Sequence, residues 1–382
     1  MQEQTLKEDF MAAGDPVRQL VVSPTVVING EGALSKVGEV ARQIGAKALV
    51  IGGPVSYPAV KEGLEASLKA VGVSFEVTTY GRDCCEIDQE LLAELIRVCG
   101  AEVIVGAGGG KAMDAAKLAA YRAGLPVINV PTSAATCAAW TALSNVYSSE
   151  GTWLYGVALP TNPYAVVVDH AVVATAPARL LASGIADTLA KWVESSASVD
   201  VSQADAMTLS AVEMARFLYE RLMTVGEAAF DQAQRHAPGP ELRAAIDANI
   251  QLAGTVGGLG GARCRSVAAH AVCNALTAMP GHGVSWHGEK VAFGIVVQRI
   301  LQAFPIDEIT RLIAYFAAIQ VPVTLKELGV ADDPQAIEAI AQGTVREGSS
   351  AHLLPGGVDA ARVAAAISQA DALGKAQRAM GA

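Results

Sequence analysis

Short β-branched runs, each closed by turn residues and followed by an alanine-rich stretch, recur to about residue 175 and then stop. That alternation is the mark of βαβ units and commits the N-terminal part to a parallel sheet with helices on its faces. The runs are 48–51 before Gly52-Gly53-Pro54, 103–105 before a glycine cluster, 127–130 before Pro131, and 166–168 before Asp169. Open α/β sheets bind ligands at the carboxyl ends of their strands, so chemistry is expected in the loops after these runs. From Thr175 onward, Ala/Leu/Glu/Arg segments punctuated by Pro238-Gly239-Pro240, Pro280-Gly281 and Pro355-Gly356-Gly357 predict helices. Ala176-Pro177 can open the first of them. The expectation is two domains, α/β over 1–174 and all-helical over 175–382, which suits 382 residues at about 150 per domain.

Composition narrows the function classes. Apolar residues are 52% of the chain and charged ones 17%, enough to bury a large core. Lys and Arg total 28 against 38 for Asp and Glu, a net charge of −10 that offers no footprint for nucleic acid. No apolar stretch approaches the roughly 20 residues needed to span a bilayer. The N-terminal MQEQTLKEDF is polar and acidic, unlike a secretory signal. Six cysteines (Cys84, Cys85, Cys99, Cys137, Cys264, Cys273) form no CxxC pair. A soluble, cytoplasmic protein acting on a small molecule, without a membrane or nucleic-acid partner, is expected. The alanine-rich helical part leaves room for a homo-oligomer.

Gly106-Ala107-Gly108-Gly109-Gly110-Lys111 joins a buried-type strand to a helical segment. Glycines there let backbone approach a diphosphate at a helix N-terminus. Val105 and Ala112 break the Walker pattern, and Lys111 replaces the last glycine of GxGxxG, so a purely structural turn is the competing reading. No acidic residue follows the earlier strand at Gly52-Gly53, where NAD-preferring folds often hold the ribose 2′-hydroxyl. That leaves room for a 2′-phosphate, with Ser56 as a donor. Both NAD and NADP stay open.

Of six histidines, His270 and His287 fall in predicted helices among Ala and Val. Taken singly, either reads better as a satisfied core residue. Asp187, in Gly184-Ile185-Ala186-Asp187-Thr188-Leu189, changes that balance, because a carboxylate among apolar neighbours needs a cation or several donors. Two histidines, one carboxylate and an open position suit Zn²⁺ or Fe²⁺. His170, His236 and His282 fall in predicted turns and are expected to be solvated. His352 is expected to face the cleft or cap a helix.

These segments together resemble the metal-dependent, iron-containing alcohol dehydrogenases, in their glycerol dehydrogenase branch. The likeness rests on Gly108-Gly109-Gly110-Lys111 with Asp114, Pro131-Thr132, Gly184-Ile185-Ala186-Asp187, Ala268-Ala269-His270-Ala271 and His287-Gly288-Glu289-Lys290-Val291-Ala292. It runs from about residue 20 to the C-terminus. The resemblance implies the dehydroquinate synthase-like fold of that family: a Rossmann-like dinucleotide-binding domain, an all-helical domain, and a catalytic metal in the cleft between them. Asp187, His270 and His287 match the family's metal ligands. Gly109, Gly110, Lys111 and Asp114 match its diphosphate loop, with Gly53 and Gly108 beside it, and Thr132, Thr141, Leu143 and Tyr147 match further cofactor contacts. Many iron-binding members carry another histidine where this chain has Lys191, so three protein ligands are expected for a zinc or iron ion.

Two departures bear on substrate. Cys137 stands where the glycerol enzymes carry an aspartate for a polyol hydroxyl, and Cys273 where members often have a second histidine. The segments around Cys137 and Asp187-Thr188-Leu189-Ala190-Lys191-Trp192 look more like the hydroxycarboxylate dehydrogenase A branch. The expected activity is therefore NAD(P)-linked hydride transfer between a small 2-oxo acid and its 2-hydroxy acid. Cys137 would line the pocket; Lys191, one turn beyond Asp187, and Arg265 are candidates for the substrate carboxylate, against a bland reading as solvated helix residues. A glycerol or small-diol dehydrogenase is the alternative within the family. A dehydroquinate synthase-type activity fits the motifs less well. A nucleotide-binding sensor with a structural metal is the alternative of another class.

Overall fold

The computed structural model describes residues 19–81 and 83–380, so the polar N-terminus discussed above lies outside the described residues. Strands β1 (Val26–Gly30), β2 (Lys47–Gly52), β3 (Ser74–Thr79), β4 (Val103–Gly108) and β5 (Val127–Pro131) alternate with helices α1 (Val37–Ile44), α2 (Lys61–Ala70), α3 (Glu86–Cys99) and α4 (Gly110–Ala123). An antiparallel ribbon, β6 (Leu143–Tyr147) with β7 (Trp153–Ala158), precedes β8 (Ala165–Asp169). The sheet runs β1-β8-β5-β4-β2-β3 with every neighbouring pair parallel. Strands β4, β5 and β8 are buried at every position, as parallel strands covered on both faces must be. The edge strands β1 and β3 are largely half-buried or exposed, and β3, Ser74–Thr79, accordingly carries no apolar run.

Helices α1 and α2 pack on one face against Val50 and Val105, while α3 and α4 pack on the other against Leu49, Ile51 and Ile104. The helix after β2 and the helix after β4 thus diverge to opposite faces. A crevice opens between the two strand ends, which is where doubly wound sheets take their ligands.

Beyond β8 the described residues form only helices: α5 (His170–Ala174), α6 (Ala178–Ser198), α7 (Ala206–Gln234), α8 (Pro240–Asp247), α9 (Ala253–Gly260), α10 (Ala268–Leu276), α11 (His287–Leu301), α12 (Ile306–Ala318), α13 (Pro334–Thr344) and α14 (Ala360–Met380), with short 3₁₀ turns between some of them. None is long and apolar enough to cross a membrane. Helix α6 runs through the middle, with Leu181, Ile185, Leu189 and Val193 in an apolar cluster shared with α7, α10 and α11. The same cluster takes in Met113, Val166 and Val168 from the sheet half, so the halves close over continuous apolar packing. His170, expected to be solvated, instead opens α5 with 6% exposure, and its Nε2 lies 3.0 Å from Asp247 Oδ1. The Asp169 side chain caps that short helix and so turns the next residue inward.

Glycine fixes how closely α6 approaches the sheet half. A Cβ on Gly184 would lie 1.8 Å from the Ala134 carbonyl oxygen, in the loop after β5. Asn249, on a π-helical turn (Ala248–Leu252) between α8 and α9, locks this crossing. Its Nδ2 donates to Ala134 O at 3.0 Å, and its Oδ1 accepts from Thr188 Oγ1 at 2.9 Å. The Gly184→Ala variant should therefore lose at least ~1–3 kcal/mol of stability, the usual cost of overpacking. Gly283→Ala, whose added methyl meets nothing within 4 Å, should change stability by under about 0.5 kcal/mol. Paired urea melts would expose the error if both variants unfolded at the wild-type midpoint.

Candidate metal and coenzyme site

Asp187 lies mid-way along α6, His270 in the first turn of α10, and His287 at the first position of α11. One donor atom from each lies within 4.8 Å of the other two. His270 Nε2 is 3.2 Å and His287 Nε2 3.7 Å from Asp187 Oδ1, and the ring centroids are 5.5 Å apart. Asp187 is 5% exposed, so its charge is met by neighbouring groups rather than by water. A buried carboxylate facing two imidazole nitrogens is a donor set that fits zinc or iron(II).

Specific contacts hold each helix to this corner. On α10, the Val267 and His270 amides donate to Glu194 Oε1 at 2.7 and 3.0 Å, and the Ala268 and Ala269 amides to Gln298 Oε1 at 3.0 and 2.9 Å. These side chains satisfy amides at the helix start that have no partner within the helix. The other Glu194 oxygen, Oε2, lies 2.6 Å from His270 Nδ1. That contact orients the ring and leaves Nε2 toward Asp187. On α11, Glu289 accepts from the Trp286 amide at 2.7 Å and from Arg179 Nη2 at 2.8 Å, tying the helix start to the first turn of α6. The Gly288 amide donates to Ser183 Oγ at 3.0 Å, and a Cβ on Gly288 would sit 1.8 Å from the Ser183 carbonyl oxygen. Ser183 precedes Asp187 by one turn, so this backbone-to-backbone approach sets how near His287 comes to it.

Charge is balanced locally. Burial disfavours the Asp187 carboxylate, yet Lys191, the hydrogen bond from His270 and the two imidazoles outweigh it and hold the carboxyl well below its usual range. Burial likewise opposes charge on Lys191, but Asp187 prevails and raises its pKa, so the ammonium stays charged although only 6% exposed. No described residue accepts a hydrogen bond from that ammonium. Burial lowers the His270 value, but Glu194 and Asp187 lift it to about 9. Burial pushes the Cys137 thiol up while Lys191 pulls it down, which puts this neutral sulfur near the same ammonium. Arg265 Nε donates to Gly257 O at 3.1 Å, and its charge is felt at Lys191.

The residues matched to a coenzyme gather at the crevice between β2 and β4. The Gly53 amide donates to Ala107 O at 2.9 Å and the Thr132 amide to Gly108 O at 2.9 Å. Gly108 has a φ of 155°, which L side chains rarely adopt, and a Cβ there would lie 2.8 Å from Ser56 Oγ. Gly109 and Gly110 open α4 without a side-chain cap, leaving first-turn amides for a diphosphate. Lys111 forms an ion pair with the buried Asp83. Asp114 is 5% exposed, and its carboxylate lies 3.1 Å from the ammonium of Lys117. Lys117, fully buried, also donates to Thr141 O at 3.1 Å and to Leu143 O, binding that segment to α4. The Tyr147 amide donates to Cys84 O at 2.9 Å. Of the remaining histidines, His236 and His352 are exposed and His282 is half-buried, all away from the three-donor cluster.

A family model described as iron-containing alcohol dehydrogenase matches residues 24–170. The chain is 36% identical over 365 residues to a glycerol dehydrogenase of Escherichia coli O6:H1, covering 94% of this chain and 98% of that one. It is 38% identical over 277 residues to hydroxycarboxylate dehydrogenase A of Escherichia coli K12, covering 71% and 75%. Among solved structures, a probable glycerol dehydrogenase from Sinorhizobium meliloti 1021 superposes with a TM-score of 0.84 at 28% identity, covering 94% and 99%.

Glu194 was not among the residues singled out from sequence, although it falls seven positions after Asp187 on the same helical stripe as Lys191. In Glu194→Gln the amide oxygen can still accept from the α10 backbone, but the amide nitrogen cannot accept the Nδ1 proton of His270. Zinc affinity, measured by competition with a chromophoric chelator, should fall about 10–100-fold with the fold retained. An unchanged affinity would reduce Glu194 to a helix cap.

Proposed function

The chain belongs to the iron-containing alcohol dehydrogenase family, and from that premise we propose that it is a metal-dependent, NAD(P)-linked oxidoreductase interconverting a small 2-oxo acid and its 2-hydroxy acid. We place the boundary between its coenzyme and metal domains between residues 174 and 175. Asp187, His270 and His287 would hold the metal, and Gly53, Gly108 to Gly110 and Thr132 the coenzyme. A divalent ion there would supply Lewis-acid polarisation of the substrate carbonyl, and the nicotinamide the hydride.

The observation that carries the substrate class is Lys191. A charged ammonium has three donors, and here it is buried beside Asp187 with no described acceptor. A substrate carboxylate would supply the acceptor, in a site where low exposure strengthens the pairing. Anchoring at that end orients the adjacent carbonyl carbon relative to the metal ligands. Glu194 meanwhile keeps a proton on His270 Nδ1, so that Nε2 is the nitrogen that would give up its proton to bind the metal. Cys137 gives a polyol hydroxyl only a weak partner, which disfavours glycerol. The glycerol or small-diol reading is favoured instead by the match to glycerol dehydrogenase, which spans 98% of that relative against 75% for the hydroxycarboxylate enzyme.

Purified enzyme loaded separately with zinc or iron, assayed on 2-oxobutyrate and 2-oxoglutarate with NADH or NADPH and on glycerol with NAD, separates the two. Higher kcat/KM on the oxo acids is expected; activity confined to glycerol would overturn the reading. In Lys191→Met, kcat/KM for 2-oxo acids should drop about 10–100-fold, the worth of a hydrogen bond to a charged group, while turnover of uncharged aldehydes is largely kept. Equal losses on both would mean that Lys191 serves only as a counter-charge to Asp187.

A further inference from the structure

The two imidazoles at the three-donor corner are held in different ways. His270 has a carboxylate at Nδ1, whereas the group beside Nδ1 of His287 is the thiol of Cys273, with Sγ 3.5 Å away. Cys273 is fully buried, three positions after His270 on α10. Its sulfur also lies 3.7 Å from the backbone carbonyl oxygen of His287.

We propose that Cys273 is a positioning residue that fixes the tautomer of His287 for metal binding. An imidazole that ligates through Nε2 must carry its proton on Nδ1, and that proton needs an acceptor. The thiol meets this need without an ionised group. Its own S–H donates to the His287 carbonyl, and the sulfur lone pairs accept the Nδ1 proton. The opposite arrangement, with the thiol donating to Nδ1, would put the ring proton on Nε2 and point it at Asp187 Oδ1, 3.7 Å away, where a ligand lone pair is required. The carbonyl contact is what selects the first arrangement, because it takes up the thiol proton. Helix α10 thereby serves both ligand rings, supplying His270 itself and, one turn on, the partner that orients His287.

This inference rests on the metal reading above, and its test separates the two. Zinc affinity is measured by chelator competition for the wild type, Asp187→Ala, Cys273→Ser, Cys273→Ala and Cys273→Val. Serine keeps a hydroxyl that can accept and donate; alanine and valine keep neither, and valine fills the space. Alanine and valine should weaken zinc binding roughly ten-fold, the lower end of the range for partners behind a metal ligand, with serine within about three-fold of wild type. In nitrogen-edited NMR of the zinc-loaded wild type the His287 proton should reside on Nδ1, and in Cys273→Val it should exchange faster with water. Equal affinities across the Cys273 series, or equal losses in serine and valine, would overturn the positioning role while leaving the metal site intact. A sulfur-to-metal charge-transfer band in the cobalt-loaded wild type that vanishes in Cys273→Ser would also overturn it, by making the sulfur a ligand. If wild type and Asp187→Ala bound zinc equally weakly, the metal reading itself would fall, and this inference with it.

Discussion

One buried carboxylate organises the corner on which the proposed chemistry depends. Glu194 is 0% exposed, and among the described residues no ammonium or guanidinium lies within ion-pair distance of it, although its charge is felt at Lys191. Its charge is met by two backbone amides at the start of α10 and by His270 Nδ1. A single side chain of α6 thus caps the start of α10 and orients the His270 ring that α10 carries. A capping residue and a metal-orienting residue are usually separate, and either can drift without the other. Here a shift of α10 relative to α6 breaks both contacts at once, so the ring position is as well determined as the helix packing.

The same economy of distance appears where backbones touch. Gly184 against Ala134, Gly288 against Ser183 and Gly294 against Ala269 leave no room for a methyl group, the nearest oxygens lying 1.8, 1.8 and 2.2 Å from an added Cβ. Three of these segments adjoin groups of the site: Asp187 one turn beyond Ser183, His287 beside Gly288, and His270 beside Ala269. Close-packed interiors resist small displacements. Glycine at the crossings therefore turns helix packing into a constraint on donor separation. Asn249 extends that constraint to the sheet half, since it joins the loop after β5 to Thr188, the neighbour of Asp187.

What the sequence made legible follows from which interactions are local. The central strands β2, β4 and β5, together with β8, read as apolar runs because both faces are covered, and the glycine loop was visible because α4 begins directly after it. Lys191 followed from one helical turn. Strand β3 left no such trace, being an edge strand with one side open, and the β6–β7 ribbon is too short and mixed in composition to announce itself. The partners of the two imidazoles were legible only in part. Glu194 is 76 residues from His270, and a glutamate in a helix reads as a solvated residue unless its stripe is followed inward from Asp187. His170 meets Asp247 across 77 residues, and nothing near it in the chain announces that pairing.

The charge pattern also bears on which substrate the corner favours. Two buried carboxylates, Asp187 and Glu194, face one buried ammonium, Lys191, with the guanidinium of Arg265 close enough to act on it. With His270 neutral, as a metal ligand must be, those four charges cancel, so a divalent ion added among them would leave two positive charges in a largely desolvated region. A polyol that has lost its hydroxyl proton would neutralise one of the two. A 2-hydroxy acid in the same state, with carboxylate and alkoxide together, would neutralise both. Low dielectric magnifies the difference, because an uncompensated charge costs more there than in water. The balance of the whole corner thus adds a second argument for the anionic substrate proposed above, beside Lys191, the member of it with hydrogen bonds still to give.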